Sequence, residues 1–199
     1  MLGKAAVAMW WDIAPEVRAE WEDWHTREHM PERLSIPGFV RGTRWIAESG
    51  QPSYFVLYEA ERLETITGGI YLERLNNPTP WSLKMMPHHR NMVRSLCEVR
   101  GSWGGGLATV LATVRCSPNS DLPVLPRRHG LTGAHLLVSV PMAGVPQTAE
   151  QKIRGGDATV DRVLLLGGCD QEAVAATAPA PGAVGFYRPA YSLSAGEIA

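Results

Sequence analysis

The feature that most constrains this 199-residue chain is an order of strand and helix signals. It occurs once before Trp103-Gly104-Gly105-Gly106 and returns, weaker, after it. Lys4 to Ile13 is a short apolar run, closed by Asp12 and Pro15, that reads as a buried strand. From Glu16 to about Met30 the spacing turns helical. Val17, Trp21, Trp24 and Glu28 fall on one side, with His25 beside them and His29 a turn beyond; Arg18, Glu20, Glu22 and Arg27 fall largely on the other. Pro15 in the first turn and Glu16 at the positive end suit a helix start. Pro31 predicts a kink or an early end, and Pro37-Gly38 a firm stop. Phe39 to Ala47 and Ser53 to Glu61 read as strands of an antiparallel hairpin around the turn 48–52. Leu63 to Leu75 reads as helical in spite of Gly68-Gly69. Asn76 to Pro80 breaks it, Trp81 to Asn91 is a loop or short helix interrupted by Pro87, and Met92 to Ser102 is a fourth strand.

This β-α-β-β-α-β order is that of the ferredoxin-like split unit. Beyond the glycine seam, Leu107 to Cys116, Ala134 to Val140, Thr159 to Leu166 and Ala183 to Ser192 read as strands. Asp121 to His129 stands where the first helix belongs, but Pro123 and Pro126 leave little of it. Residues 141–156 read as a polar loop, and Gln171 to Ala178 as a short Ala-rich helix before the Pro/Ala stretch 179–181. The repetition is one of element order, not of residues. The predicted fold class is therefore α+β: two fused ferredoxin-like βαββαβ units, one in 1–103 and a degenerate one, read as scaffold, in 107–199. A single unit covers one face of its sheet with helices and leaves the other bare. Two units in one chain can hide both bare faces, and a homodimer can still form on top.

Composition removes several function classes. The formal net charge is −1 and no Lys/Arg run stands out, which argues against a nucleic-acid partner. No stretch approaches the ~20 apolar residues of a membrane span. Met1 to Trp11 lacks the length and cleavage region of a signal peptide, so the expected compartment is the cytoplasm. Cys97, Cys116 and Cys169 are odd in number, far apart and form no CxxC. They read as ordinary thiols rather than a disulfide framework or a zinc site.

The stretch W-H-T-R-E-H-M-P-E-R-L-S-I-P-G-F (Trp24 to Phe39), then Arg44-Trp45, Tyr54 to Glu59 and Asn77-Pro78-Thr79-Pro80-Trp81, resembles the EthD-like branch of the dimeric α+β barrel superfamily. The resemblance covers the first half by motif and the second by element order. It implies a ferredoxin-like fold, barrel pairing (here within one chain) and a pocket between sheet and helices. It implies no single chemistry: relatives include polyketide cyclases, lactone isomerases, cofactor-free oxygenases and haem enzymes.

His25 and His29, four apart in the matched stretch, are the leading catalytic candidates, because a neutral imidazole is the natural general base near neutral pH. Trp21, Trp24 and Trp45 are expected to wall them in and favour the neutral form. H-x-x-E-H over His25–His29 also spells an inverted zinc-hydrolase pattern, but no third ligand is evident and no metal is expected. By alternation Tyr54, Val56 and Tyr58 share one strand face, and Arg44 shares its own with Gly42 and Ile46. Tyr58 with His25 would make an acid–base pair, and Arg44 could hold a carboxylate or enolate. Trp24 and Trp81 would line the pocket. The loop pair His88-His89 could cover its mouth and supply a second base, His88 being the one taken as substrate-binding, with Lys84 and Arg90 attracting an anion. The expected function is a cofactor-independent lyase, isomerase or cyclase acting on an oxygenated carbonyl or aromatic small molecule. The alternative is a non-catalytic small-molecule-binding protein of a catabolic pathway. Haem bound through a histidine is a third reading.

Overall fold

A computed structural model describes residues 1–116, 124–142, 144, 146–178 and 183–198. Among these, eight strands close into one barrel: β1 (Ala5–Ile13), β2 (Phe39–Ala47), β3 (Tyr54–Ala60), β4 (His89–Gly104), β5 (Val110–Cys116), β6 (Leu131–Ser139), β7 (Arg162–Gly168) and β8 (Ala183–Ser194). The order around it is β1-β3-β2-β8-β5-β7-β6-β4, with every pairing antiparallel. Each half contributes four adjacent strands, β4-β1-β3-β2 and β8-β5-β7-β6. The halves are sewn together where β4 runs along β6, from Cys97↔Ser139 to Gly104↔Gly133, and where β2 runs along β8, from Arg41↔Ser194 to Ala47↔Tyr187. Closure leaves no unpaired sheet edge among the described strands.

Alternation along β1 sorts the core. Ala6, Ala8 and Trp10 point into the barrel and meet Phe55, Leu57, Cys97, Leu137, Leu165 and Tyr187 from the other strands. Ala5, Val7, Met9 and Trp11 point outward beneath the helices. The first-half helices are α1 (Arg18–Trp24), α2 (Met30–Leu34), α3 (Leu63–Thr67), α4 (Gly69–Asn76) and α5 (Pro80–Met85). On the outer face of the second-half strands, α7 (Gln171–Thr177) buries Val174 against Ala112, Val114 and Leu166.

Several expectations are corrected. The helix foreseen from Glu16 to Met30 runs on past Pro31 to Leu34, broken by a π-helical turn at His25–His29. A proline ring collides with the carbonyl four residues back and has no N–H to give it. The wider turn just before Pro31 removes that conflict, with Met30 N–H bonding His25 O instead. Leu63 to Leu75 is two helices, because Gly68 is extended (ψ 167°) between them. Trp81 to Asn91, expected as a loop or short helix, holds the end of α5, a single turn at Met86–His88 and the start of β4, which runs on through Gly104 of the seam. Residues 141–156 are not all loop: α6 (Ala149–Ile153) starts at a capping box of Thr148 and Gln151. Residues 124–129 carry no regular helix, and positions 121–123 and 179–181 of the sequence reading lie outside the described residues.

The segment around α6 does not stay with the second half. Glu150, 2% exposed, pairs with the equally buried Arg33 of α2. Ala149 N–H donates to Asn76 Oδ1 (3.0 Å), and Ala158 exchanges backbone hydrogen bonds with Met92 and Arg94 of β4. Arg154, held by Asp157 at 2.6 Å, completes this strap across the first-half helices.

Candidate functional site

The apolar stripe of α1 presses Trp21 and Trp24 onto the outer face of the sheet and brings His25 with them. Both indoles are anchored: Trp21 Nε1 donates to His89 Nε2 (3.2 Å) and Trp24 Nε1 to Ser82 Oγ (3.3 Å). Ser82 is itself fixed because α5 begins at Thr79, whose hydroxyl accepts from Ser82 N–H. His25, 1% exposed, stacks on Trp21 (centroids 5.0 Å apart, 28° between planes), and its ring lies 5.7 Å from that of His29. His29 stacks on Trp24 at 4.5 Å. Its Nδ1 is buried without a hydrogen-bond partner, 4.0 Å from the Glu32 carboxylate.

Two strand residues converge on His25. Tyr58 Oη of β3 is 3.5 Å from Nε2, and Arg44 Nη1 of β2 is 3.4 Å from Nδ1. Arg44 also donates to Glu22 O (3.2 Å), and its guanidinium lies between the rings of Trp21 and Tyr191, 5.7 Å from each. Its Nε is buried and unpaired. Tyr54 Oη donates to the Glu22 carboxylate at 2.7 Å, so that anion is engaged elsewhere. An arginine N–H aimed at Nδ1 makes that atom the acceptor and leaves the ring proton on Nε2, directed at Tyr58.

Burial dominates the electrostatics. It holds His25 well below its ordinary range, with Arg44 and His89 adding repulsion. Burial, then Arg33, does the same to His29. His89 is held down to about 3 by burial and Arg154. Burial raises the Tyr58 phenol well above its usual range and lowers Arg44. At neutral pH the site is therefore three uncharged imidazoles, a protonated phenol and one arginine with no carboxylate within ion-pair distance among the described residues.

Of the residues singled out from sequence, His25, His29, Tyr58, Arg44 and Trp24 are brought together. Trp81 is half-buried against the same core with its indole N–H unpaired. His88 is half-buried on the turn Met86–His88, and it is His89 whose ring reaches the aromatic cluster, 5.2 Å from Trp11 and 5.7 Å from Trp21. Lys84 pairs with Glu20 at the surface, and Arg90 is exposed. Glu28 of the H-x-x-E-H pattern accepts from the Thr79 hydroxyl, and no three His, Cys, Asp or Glu side chains among the described residues group as metal ligands. Sequence reading missed Tyr191, which β8 delivers from the second half, and the α6 strap. The Thr148-x-x-Gln151 capping box was the one local signal for the strap.

Fold and site together define an α+β protein on a closed eight-stranded antiparallel barrel, with a buried histidine–tryptophan cluster between the outer sheet face and its helices. No protein-family model matches the chain, and no curated protein sequence does. Solved structures of the dimeric α+β barrel type share its fold. An anthrone oxidase-like protein is similar at 12% identity and a TM-score of 0.54, over 98% of this chain and 94% of the other. A "putative monooxygenase" from Lactobacillus acidophilus NCFM is similar at 8% identity and a TM-score of 0.54, over 96% of both chains. Another from Fusobacterium nucleatum subsp. nucleatum ATCC 25586 stands at 7% and 0.50, over 98% and 96%. The likeness is one of fold.

Proposed function

We propose that the chain is a cofactor-independent enzyme that removes a proton next to a carbonyl, or from a phenol conjugated to one, on a small oxygenated molecule. The observation that carries this reading is Arg44: a buried cation with no carboxylate at ion-pair distance among the described residues, its Nη1 set against a neutral imidazole. A substrate oxygen that draws Arg44 to itself frees the Nδ1 lone pair of His25. His25 then accepts the substrate proton as base, and Arg44 holds the enolate or phenolate that forms. His25 can return the proton to a second position, which completes an isomerisation, or to a leaving oxygen, which completes an elimination or a cyclisation. Tyr58, kept protonated by burial, positions the ring, while Trp24, Trp81 and His88 border the entry. Every acid–base group comes from the chain itself, so the reading invokes no metal or organic cofactor.

The EthD-like pattern over Trp24 to Phe39 and the anthrone oxidase-like neighbour favour aromatic or polyketide-like carbonyl compounds. Residues 1–103 are read as the unit bearing the chemistry and 107–199 as its tandem partner, two ferredoxin-like units in one chain. Three unpaired cysteines support a reducing, cytoplasmic compartment. A homodimer fits this reading without being required by it.

The test uses anthrone in D2O, following exchange at its methylene carbon. The intact protein should accelerate exchange, and His25→Ala should remove about 10²-fold or more of that acceleration. Equal rates for the two proteins would end the assignment. The 1% exposure of His25 favours a second reading, non-catalytic binding of such compounds. Saturable binding of anthrone without accelerated exchange would support it.

A further inference from the structure

The strap leaves a space where it packs on α4. β4 floors this space with Arg94 and Leu96, α4 walls one side with Leu72 and Leu75, and Thr148 and Gln151 at the start of α6 wall the other. The cavity measures about 150 Å³. An apolar cavity of that size takes up a benzene-sized body. It shares no lining residue with the site formed by His25, His29, Tyr58 and Arg44.

Two of its polar side chains are already engaged. Thr148 and Gln151 bond each other in the capping box, and Gln151 Nε2 also donates to Asp157 at 3.1 Å. Arg94 differs. It is 9% exposed, and among the described residues its guanidinium makes a single hydrogen bond, from Nη2 to Tyr71 Oη at 2.9 Å, although it carries five N–H donors. No carboxylate of the described residues lies within ion-pair distance of it. The carboxylates of this region are committed elsewhere. Glu150 serves Arg33 and, at 3.8 Å, Arg154; Asp157 holds Arg154 through bonds of 2.6 and 2.8 Å; Glu32 serves Arg33 and the exposed Arg74. Four arginines thus stand against three carboxylates, and Arg94 is the one left without an anion. Burying a cation is costly unless an anion pairs with it, and the planar fork of a guanidinium matches a carboxylate bidentately. One surplus charge calls for a monoanion, and the leucine walls call for an apolar body beside it.

We propose that the cavity between α4 and α6 binds a small monocarboxylate with an apolar body of about benzene size, its carboxylate on Arg94 and its body against Leu72, Leu75 and Leu96. The test is titration calorimetry of the full chain at about pH 7.5 with benzoate. Benzoate has no hydrogen that a base could remove to form an enolate, so it is silent toward the proton-transfer reading. It should bind with Kd below about 1 mM, and benzamide, its uncharged isostere, at least about tenfold more weakly. Arg94→Gln should weaken benzoate binding by about tenfold or more. Leu72→Trp, which fills the space, should do the same, and it carries the test if the first variant does not fold. No saturable heat up to about 10 mM benzoate would overturn the proposal, as would benzamide binding as tightly as benzoate. Loss of benzoate binding in Arg44→Gln with retention in Arg94→Gln would put the carboxylate at the other unpaired arginine and overturn it as well. Anthrone exchange does not involve Arg94, so either reading can fail alone.

Discussion

Lowering the pH from 7.5 to 5.5 should destabilise this protein far more than its near-zero net charge suggests. The perturbation acts on His25, His29 and His89, which stay uncharged in the folded state because burial lowers their proton affinity. In the unfolded chain each titrates near 6.5. The folded values are depressed, so their stabilising contribution is complete above pH 6.5 and is lost as pH falls toward the folded values, for His89 down to about 3. At pH 5.5 each of these three histidines favours the unfolded state by between about 1 and 2 kcal/mol, together by about 4 kcal/mol, and His135, held down to about 4 chiefly by burial, adds to the same loss. A domain of ordinary stability has only about 5–15 kcal/mol in total. The assay is urea unfolding at the two pH values, followed by tryptophan fluorescence. The midpoint should drop steeply with little change in slope, and His89→Gln should abolish about a quarter to a third of the drop. A midpoint that moves by less than the equivalent of one histidine would mean that the rings are hydrated or already charged, and the argument from burial would be wrong.

Glu150→Gln removes the more deeply buried of the two carboxylates on Arg33, leaving it Glu32 at 3.3 Å, and should cost up to about 3 kcal/mol in urea unfolding, whereas Arg33→Met combined with Glu150→Leu should cost less. Gly42→Ala would put a Cβ 2.8 Å from the Tyr58 ring and 3.0 Å from Met30. An overpacking cost of about 1–3 kcal/mol should appear as a lowered Tm. Thr79→Ala removes the N-cap of α5 and a bond to Glu28 and should cost about 1 kcal/mol, with altered fluorescence because Ser82 no longer fixes Trp24.

Much of the site was legible because it is built on local periods. Helical spacing alone turns Trp21, Trp24 and His25 inward together, and strand alternation alone puts Arg44 and Tyr58 on the faces where they are found. Where the reading failed, a longer-range demand had prevailed. At Pro31, where a kink or an early end was expected, the helix continues through a π turn, and Gly68 split a helix that periodicity had joined. Of the adjacent pair His88-His89, the indole of Trp21 engages His89.

The sequence by itself determined the α+β class, the order of the eight strands and which side of α1 and of β1 to β3 faces a core. These follow from the hydrogen-bond geometry of a few consecutive residues. Only the tertiary structure decided that β4 meets β6 and β2 meets β8, so that one barrel closes. It also decided that Tyr191 crosses from the second half to lie over Arg44 and that α6 straps the first half through Glu150 and Arg33. Apart from the β4–β6 seam, whose partners lie 29 (133 − 104) to 42 (139 − 97) positions apart, those contacts join residues more than a hundred positions apart, and no local pattern encodes which distant surface a face will bury.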